Sequence, residues 1–224
     1  MDYNNINPEI KKLKEYIISR NVWTVGGDGW AYDIGFGGID HILETNDRAK
    51  ILVLDSEVYS NTGGQASKAT PKGSIASFSS MGKKTSKKNL AKYALTMPHV
   101  YVGTINLGAN PNQAIKVLME ANSYDGPAIV IAYSTCIAHG IKGGLTNSLD
   151  IGKLATSSGY FPLIHYNPVD KVFSLDSKQV DFDLYEEFLE KQSRYNMLKV
   201  INEKKAKELL EQNKNDAIDL YQYY

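Results

Sequence analysis

Four short apolar runs, rich in β-branched residues and regularly spaced, constrain this 224-residue chain more than any other feature. Residues 22–25, 51–54, 100–105 and 128–133 read as buried strands. The segments between them have helical periodicity instead. Ile34, Ile39, Ile42 and Leu43 precede the second run, Leu90, Ala94 and Met97 the third, and Ile115, Leu118 and Met119 the fourth. Strands alternating with helices predict parallel βαβ units with right-handed crossovers, hence an α/β fold whose mostly parallel sheet is flanked by helices. Asn110-Pro111 reads as an N-cap followed by proline at the first helical position, which fixes the start of the third helix. Residues 160–166 form a further strand, placed at an edge because Pro162 cannot donate to a ladder. Downstream the pattern turns helical, through Leu184, Phe188 and Leu189 and then Ala206, Leu209, Leu210, Ala217 and Leu220. With no repeat and no flexible linker, the expectation is one domain over 1–224, with a core over about 22–166 and a helical C-terminus over about 167–224.

Composition narrows the function. A chain that is 42% hydrophobic and 22% charged is not disordered, collagen-like or coiled coil. No apolar run approaches the ~20 residues of a membrane-spanning helix. Lys11, Lys12, Lys14, Glu15 and Arg20 stand where a signal-peptide core would lie, so the expected location is cytoplasmic, with no membrane contact. Lys+Arg and Asp+Glu balance at 25 each and no nucleic-acid motif is present, so nucleic acid is not an expected partner. Charge is uneven along the chain, however. Between Val58 and Met119 there is no acidic residue, while Lys68, Lys72, Lys83, Lys84, Lys87, Lys88, Lys92 and Lys116 fall there. A solvated lysine face is the default reading of that block; attraction of a phosphorylated cofactor or an acidic protein is the sharper one.

Two turns carry candidate chemistry. Gly26-Gly27-Asp28-Gly29-Trp30 follows the first strand and precedes a helix, where glycine admits close approach of a ligand and unpaired N–H groups face a phosphate. Asp in such a turn also serves simply as an N-cap. Asp55-Ser56-Glu57-Val58-Tyr59-Ser60-Asn61-Thr62-Gly63-Gly64-Gln65 follows the second strand in the same way. Adjacent parallel strands end side by side, so Asp28 and Ser56 are placed to converge on one cation. An Asp, a hydroxyl and a backbone carbonyl beside a helix start suit a magnesium diphosphate. Residues 61–88, rich in Gly, Ser, Thr and Lys, form a long ordered loop at the carboxyl edge of the sheet, where open α/β folds bind ligands.

Gly-Asp-Gly followed one βαβ unit later by an Asn-containing turn resembles the thiamine diphosphate signature. The wording of residues 26–35 and of Ser60-Asn61-Thr62-Gly63-Gly64-Gln65 resembles the pyruvate:ferredoxin (flavodoxin) oxidoreductase family, also called pyruvate synthase. The resemblance continues through Ser67-Lys68-Ala69-Thr70-Pro71, Gly126-Pro127, residues 132–137 and residues 158–163, and covers about 22–198. It corresponds to the C-terminal part of that family's thiamine-diphosphate-binding fold, a partial domain. The resemblance implies that Asp28, the Ser56 hydroxyl and the Val58 carbonyl ligate Mg2+, serine standing where the family usually has threonine. It implies that Gly27, Asp28, Gly29 and Trp30, with Ser56, Glu57, Val58, Tyr59, Ser60 and Asn61, line thiamine diphosphate, Asn61 also reaching the reacting carbonyl. The implied reaction is CoA-dependent oxidative decarboxylation of pyruvate to acetyl-CoA and CO2, with electrons passing through iron-sulfur clusters to ferredoxin or flavodoxin in anaerobic metabolism. The intact enzyme is expected to be a homodimer.

Cys136, the single cysteine, cannot form an internal disulfide and by itself reads as a small buried residue. The resemblance implies instead one ligand of a [4Fe-4S] cluster whose other three ligands are absent here, as are the family's activating glutamate and its coenzyme A and ferredoxin-like domains. His139 completes Cys-x-x-His, but two ligands define no zinc site, and a surface histidine is expected. Asp33 reads as exposed or capping, Asp55 as a strand-end acid that orders the second turn, and Lys83, Lys84, Lys87 and Lys88 as a solvated face. The chain is expected to be a split subunit, a truncated reading frame or a fragment, acting with the remaining domains rather than alone. A non-catalytic remnant or interaction module, and a subunit of a related 2-oxoacid:ferredoxin oxidoreductase, remain the alternatives.

Overall fold

A computed structural model describes residue 9, residues 12–13 and residues 21–224. Apart from those three positions, the charged N-terminal stretch lies outside the described residues. The four apolar runs are strands: β1 (Val22–Gly27), β2 (Ala49–Asp55), β3 (Tyr101–Ile105) and β4 (Ala128–Tyr133). They lie in the order β1-β2-β4-β3, each adjacent pair parallel. Two further strands, β5 (Ile164–Asn167) and β6 (Val172–Leu175), continue the sheet antiparallel beyond β3.

This corrects the expected edge. β5 lies between β3 and β6, and Pro162 precedes it, leaving its ladder intact. The sheet's edges are β6, which the sequence reading missed, and β1, whose Val22 and Val25 are exposed where a buried strand was expected, because β1 has a neighbour on one side alone.

The helices are α1 (Phe36–Glu44), α2 (Leu90–Ala94), α3 (Pro111–Ser123), α4 (Ser148–Ser157), α5 (Leu184–Glu190), α6 (Ser193–Ile201) and α7 (Glu203–Tyr223). Side chains of a strand alternate between faces, and two cores result. Ala128 and Val130 of β4 pack with Ala114, Val117 and Ala121 of α3 on one face. Ile129 and Ile131 join Ile39, Leu43, Leu90 and Ala94 on the other, together with Phe188 of α5 and Leu210 and Ala217 of α7. The helical C-terminus therefore packs into the main core. As the Asn-Pro pair predicts, Asn110 caps α3, its side chain accepting from the Gln113 N–H at 3.0 Å.

The buried face of α3 is not the expected one. Ile115 and Met119 are exposed, whereas Gln113, Ala114, Val117 and Ala121 are buried. Gly103 of β3 accounts for the choice. A Cβ there would sit 2.4 Å from Val117 Cγ1, so the helix rides close on the sheet and small residues face inward.

Lys50 of β2 is fully buried, and its ammonium donates to the carbonyls of Tyr124 and Gly126, both at 2.6 Å. It thereby pins the turn between α3 and β4. Lys50→Met strands two carbonyls that water does not freely reach, at an expected cost of about 1–3 kcal/mol, measured as a lowered urea midpoint with an unchanged slope.

Candidate functional site

The register pairs Gly27 with Leu54 and Asp55 with Tyr133, so β1, β2 and β4 end at one sheet edge. The turns that follow carry Asp28, Ser56 to Asn61, and Cys136. Asp28 opens a six-residue π-helical turn, Gly29–Ile34, in which its side chain makes no capping bond. The N-cap reading is thus replaced by another role. The Asp28 carboxylate is 1% exposed, with Oδ1 accepting from Ser56 Oγ at 2.9 Å and Oδ2 from Ser67 Oγ at 2.5 Å. Ser56 Oγ also lies 3.3 Å from the Val58 carbonyl and 3.1 Å from Ser60 Oγ. Burial pushes the Asp28 carboxyl up from the usual carboxylate range, against the pull of the Ser67 and Ser56 hydrogen bonds.

Three hard oxygens of different type, a carboxylate, a hydroxyl and a backbone carbonyl, therefore meet within hydrogen-bond distance. The set fits a magnesium ion that keeps other ligands from a phosphorylated cofactor. It contains a single carboxylate, which agrees with the lack, among the described residues, of any group of three or more His, Cys, Asp and Glu able to hold a metal.

Close packing shapes the surroundings. A Cβ on Gly29 would lie 2.2 Å from the Tyr59 ring, so glycine is required there. Tyr59 donates to the Gly29 carbonyl at 3.2 Å and to Asp33 at 3.1 Å, tying the second turn to the first. Asp33 also accepts from the Lys68 N–H at 3.1 Å and so joins the two turns, where a freely exposed or capping residue was expected. The Trp30 ring folds over Gly26 and Gly35, while the space above Gly27 is open. Asn61 is exposed at the same edge.

Glu57 behaves otherwise than a lining residue. Its carboxylate is 1% exposed and accepts from Lys87 Nζ at 2.9 Å, and from the Arg194 guanidinium and the Tyr160 hydroxyl at 2.7 Å each. Burial pushes this carboxyl up, but Lys87 and Arg194 outweigh burial and hold it below its ordinary range. Asp55, at the end of β2, is fully buried, accepts from Lys87 at 2.6 Å and from the Tyr32 hydroxyl at 2.8 Å, and is raised by burial.

The four lysines are therefore not one solvated face. Lys87 bridges two buried carboxylates, and Lys83 donates to the carbonyls of Ser67, Lys68 and Thr70. Lys88 lies over the Phe36 ring at 2.9 Å, and only Lys84 is left exposed.

His139 is fully buried, which overturns the surface assignment. Its Nε2 lies 2.7 Å from the Ser56 carbonyl. Burial, reinforced by Arg194, lowers its pKa to about 3, so the neutral ring donates from Nε2. Cys136 is 7% exposed, with its thiol 3.2 Å from Ser60 Oγ. A four-thiolate cluster does not fit this chain by itself, because only one cysteine is present. Ser67, Tyr160 and Arg194 were missed as parts of the site. Ser67 and Tyr160 appear only within the wording that carries the family resemblance, and Arg194 lies 137 positions from its partner with no local signal.

Residues 11–132 match the family model described as the thiamine pyrophosphate enzyme C-terminal TPP binding domain. The chain is 44% identical to a pyruvate-flavodoxin oxidoreductase of Trichormus variabilis, over 98% of this chain and 19% of that protein. It is also 44% identical to the pyruvate:ferredoxin oxidoreductase of Moorella thermoacetica, over 93% of this chain and 18% of the relative. A solved 2-oxoglutarate:ferredoxin oxidoreductase from Magnetococcus marinus, with 2-oxoglutarate, coenzyme A and succinyl-CoA bound, is 28% identical with a TM-score of 0.48, over 51% of this chain and 40% of that one. The chain thus spans about a fifth of the length of the curated relatives it matches.

Proposed function

The chain belongs to the thiamine pyrophosphate enzymes, whose C-terminal TPP-binding domain it carries in part, and from that premise we propose that it supplies the magnesium-diphosphate half of the cofactor site of a pyruvate:ferredoxin or flavodoxin oxidoreductase. The carrying observation is the convergence of Asp28 Oδ1, Ser56 Oγ and the Val58 carbonyl at adjacent strand ends. In this reading these three atoms hold Mg2+. The turns of Gly27 to Trp30 and Ser56 to Asn61, without the buried Glu57 side chain, line the diphosphate, and Asn61, exposed at the edge, faces the reacting carbonyl. When bound, thiamine diphosphate supplies the carbanion chemistry that 2-oxoacid decarboxylation requires. This chain's contribution is to anchor the diphosphate, with the buried Asp28 as its one metal-facing carboxylate.

The remaining parts of the reading concern the complete enzyme. Pyruvate and coenzyme A are its substrates, ferredoxin or flavodoxin its electron acceptor, and the assembly a cytoplasmic homodimer of anaerobic metabolism. Cys136 contributes one thiolate to a [4Fe-4S] cluster whose other ligands come from segments beyond this chain. The 1–224 unit is one partial domain, with its core over about 22–166 and helices over about 167–224. Among the described residues, no helix is long and apolar enough to cross a membrane.

Calorimetric titration of the chain with thiamine diphosphate tests the half-site. Saturable binding is expected in Mg2+ and none in EDTA. A folded chain that gives no Mg2+-dependent heat would overturn a preformed half-site.

A further inference from the structure

Glu57 stands between two of the three proposed metal-facing residues and has a backbone φ of +59°. A non-glycine residue with a side chain of this size avoids that left-handed region, where its Cβ crowds the following carbonyl oxygen. Such a conformation persists only where the surroundings over-determine it. Here the contacts come from four places in the chain. The Glu57 carbonyl accepts from Thr70 Oγ1 at 2.6 Å. Its carboxylate is held by Lys87 of the long loop, Arg194 of α6, and Tyr160. The carbonyl of the preceding Ser56 is taken by His139 at 2.7 Å. Arg194 is itself 4% exposed and steadied by Gln192, whose Oε1 accepts from its Nε at 2.9 Å.

We propose that Arg194 and Lys87 are positioning residues: by clamping the Glu57 carboxylate they hold the left-handed turn that sets Ser56 Oγ against Asp28 and the Val58 carbonyl against Ser56 Oγ. Rotating Glu57 back to an ordinary φ would swing the chain on one side of it relative to the other, and Ser56 Oγ and the Val58 carbonyl lie on opposite sides of that rotation. Helix α6, remote in sequence, thereby determines the geometry of the diphosphate anchor. This inference rests on the magnesium reading of the site for its functional meaning, but the clamp itself is testable without ligand.

The test uses the full chain, as Arg194→Met, as Arg194→Lys and as the charge-matched pair Glu57→Gln/Arg194→Met, which removes both members of the ion pair if the single variant fails to fold. Without ligand, amide exchange at Ser56, Tyr59 and Gly64, whose N–H groups are hydrogen-bonded within and next to the turn, is expected to rise about tenfold in Arg194→Met and in the pair, with β4 amides unchanged. Affinity for Mg2+-thiamine diphosphate is expected to fall about 10–100-fold, with partial rescue in Arg194→Lys.

Folded variants with wild-type exchange and wild-type affinity would overturn the clamp. Asp28→Ala separates the two readings. If the wild type binds and Asp28→Ala does not, affinities in the Arg194 variants decide the proposal. If Asp28→Ala binds as the wild type does, the magnesium reading falls, and unchanged turn exchange in Arg194→Met then overturns the clamp while raised exchange supports it.

Discussion

Asp28→Asn is expected to weaken Mg2+-dependent thiamine diphosphate binding by at least about a hundredfold while leaving the fold as stable as before or more so. The two halves of this expectation have one cause. Asp28 is the only carboxylate in the oxygen set, so the amide removes the one formal negative charge the protein offers the cation. Burial raises the Asp28 carboxyl, which means that its charged form costs the unliganded fold something. For a carboxyl with a raised folded pKa, that cost is absent at low pH, where folded and unfolded forms are both protonated. It grows as pH rises through the unfolded value and is complete above the folded one. At neutral pH an asparagine escapes it and still accepts from Ser56 or Ser67 through its carbonyl. Paired titrations of Mg2+ at fixed cofactor and thermal melts without cofactor check both halves. Binding and stability falling together would mean that Asp28 is a packing residue. Opposite movements are the signature of a site kept at the fold's expense.

What the sequence could disclose follows from the range over which each force acts. The strands β1 to β4 and their shared edge were legible, because each is a short β-branched apolar run and parallel pairing needs a helix between runs; burial on both faces holds for β3 and β4 but not for the edge strand β1, whose Val22 and Val25 are exposed. Asp28 and Ser56 were legible as a pair because they sit three and two residues past such runs. β6 was not, because it is a four-residue edge strand with little to bury and no helix to set it off from β5. Val172 and Phe173 are 50% and 37% exposed, and the strand follows a tight turn with Lys171 at φ +55°. The inward face of α3 was misread because hydrophobicity ranks Ile115 above Ala114, while the helix is seated by Val117 against Gly103, which turns Ala114 inward and Ile115 to the outside. The ionic network was invisible altogether. A lysine in a basic, serine-rich stretch reads as solvated, and neither of its carboxylate partners lies within a helical or strand period of it. His139 and Arg194 failed to announce themselves in the same way, since a buried polar side chain is licensed by a partner and not by its neighbours in sequence.

The network therefore gives the clearest contest between the two ways of reading the chain. As part of a solvated face, Lys87 is replaceable by methionine within about 0.5 kcal/mol. In the structure Lys87 is only 25% exposed and is shared by Asp55 and Glu57 at 2.6 and 2.9 Å. Removing it leaves Glu57 with Arg194 and Tyr160, but leaves Asp55 with the Tyr32 hydroxyl alone, its Oδ1 having no hydrogen-bond partner among the described residues. A buried carboxylate stripped of its counterion costs about 3–5 kcal/mol, much of the 5–15 kcal/mol that holds an ordinary domain together. Lys87→Met is thus expected to unfold at markedly lower urea or to accumulate insoluble. The damage resides mainly in Asp55, so Asp55→Asn/Lys87→Met is expected to recover most of the loss and Glu57→Gln/Lys87→Met much less, because Glu57 retains a second cation. Equal recovery by the two pairs would place the uncompensated charge on both carboxylates, and a single variant melting within half a kilocalorie of wild type, a bound of about 0.5 kcal/mol, would return Lys87 to the solvent.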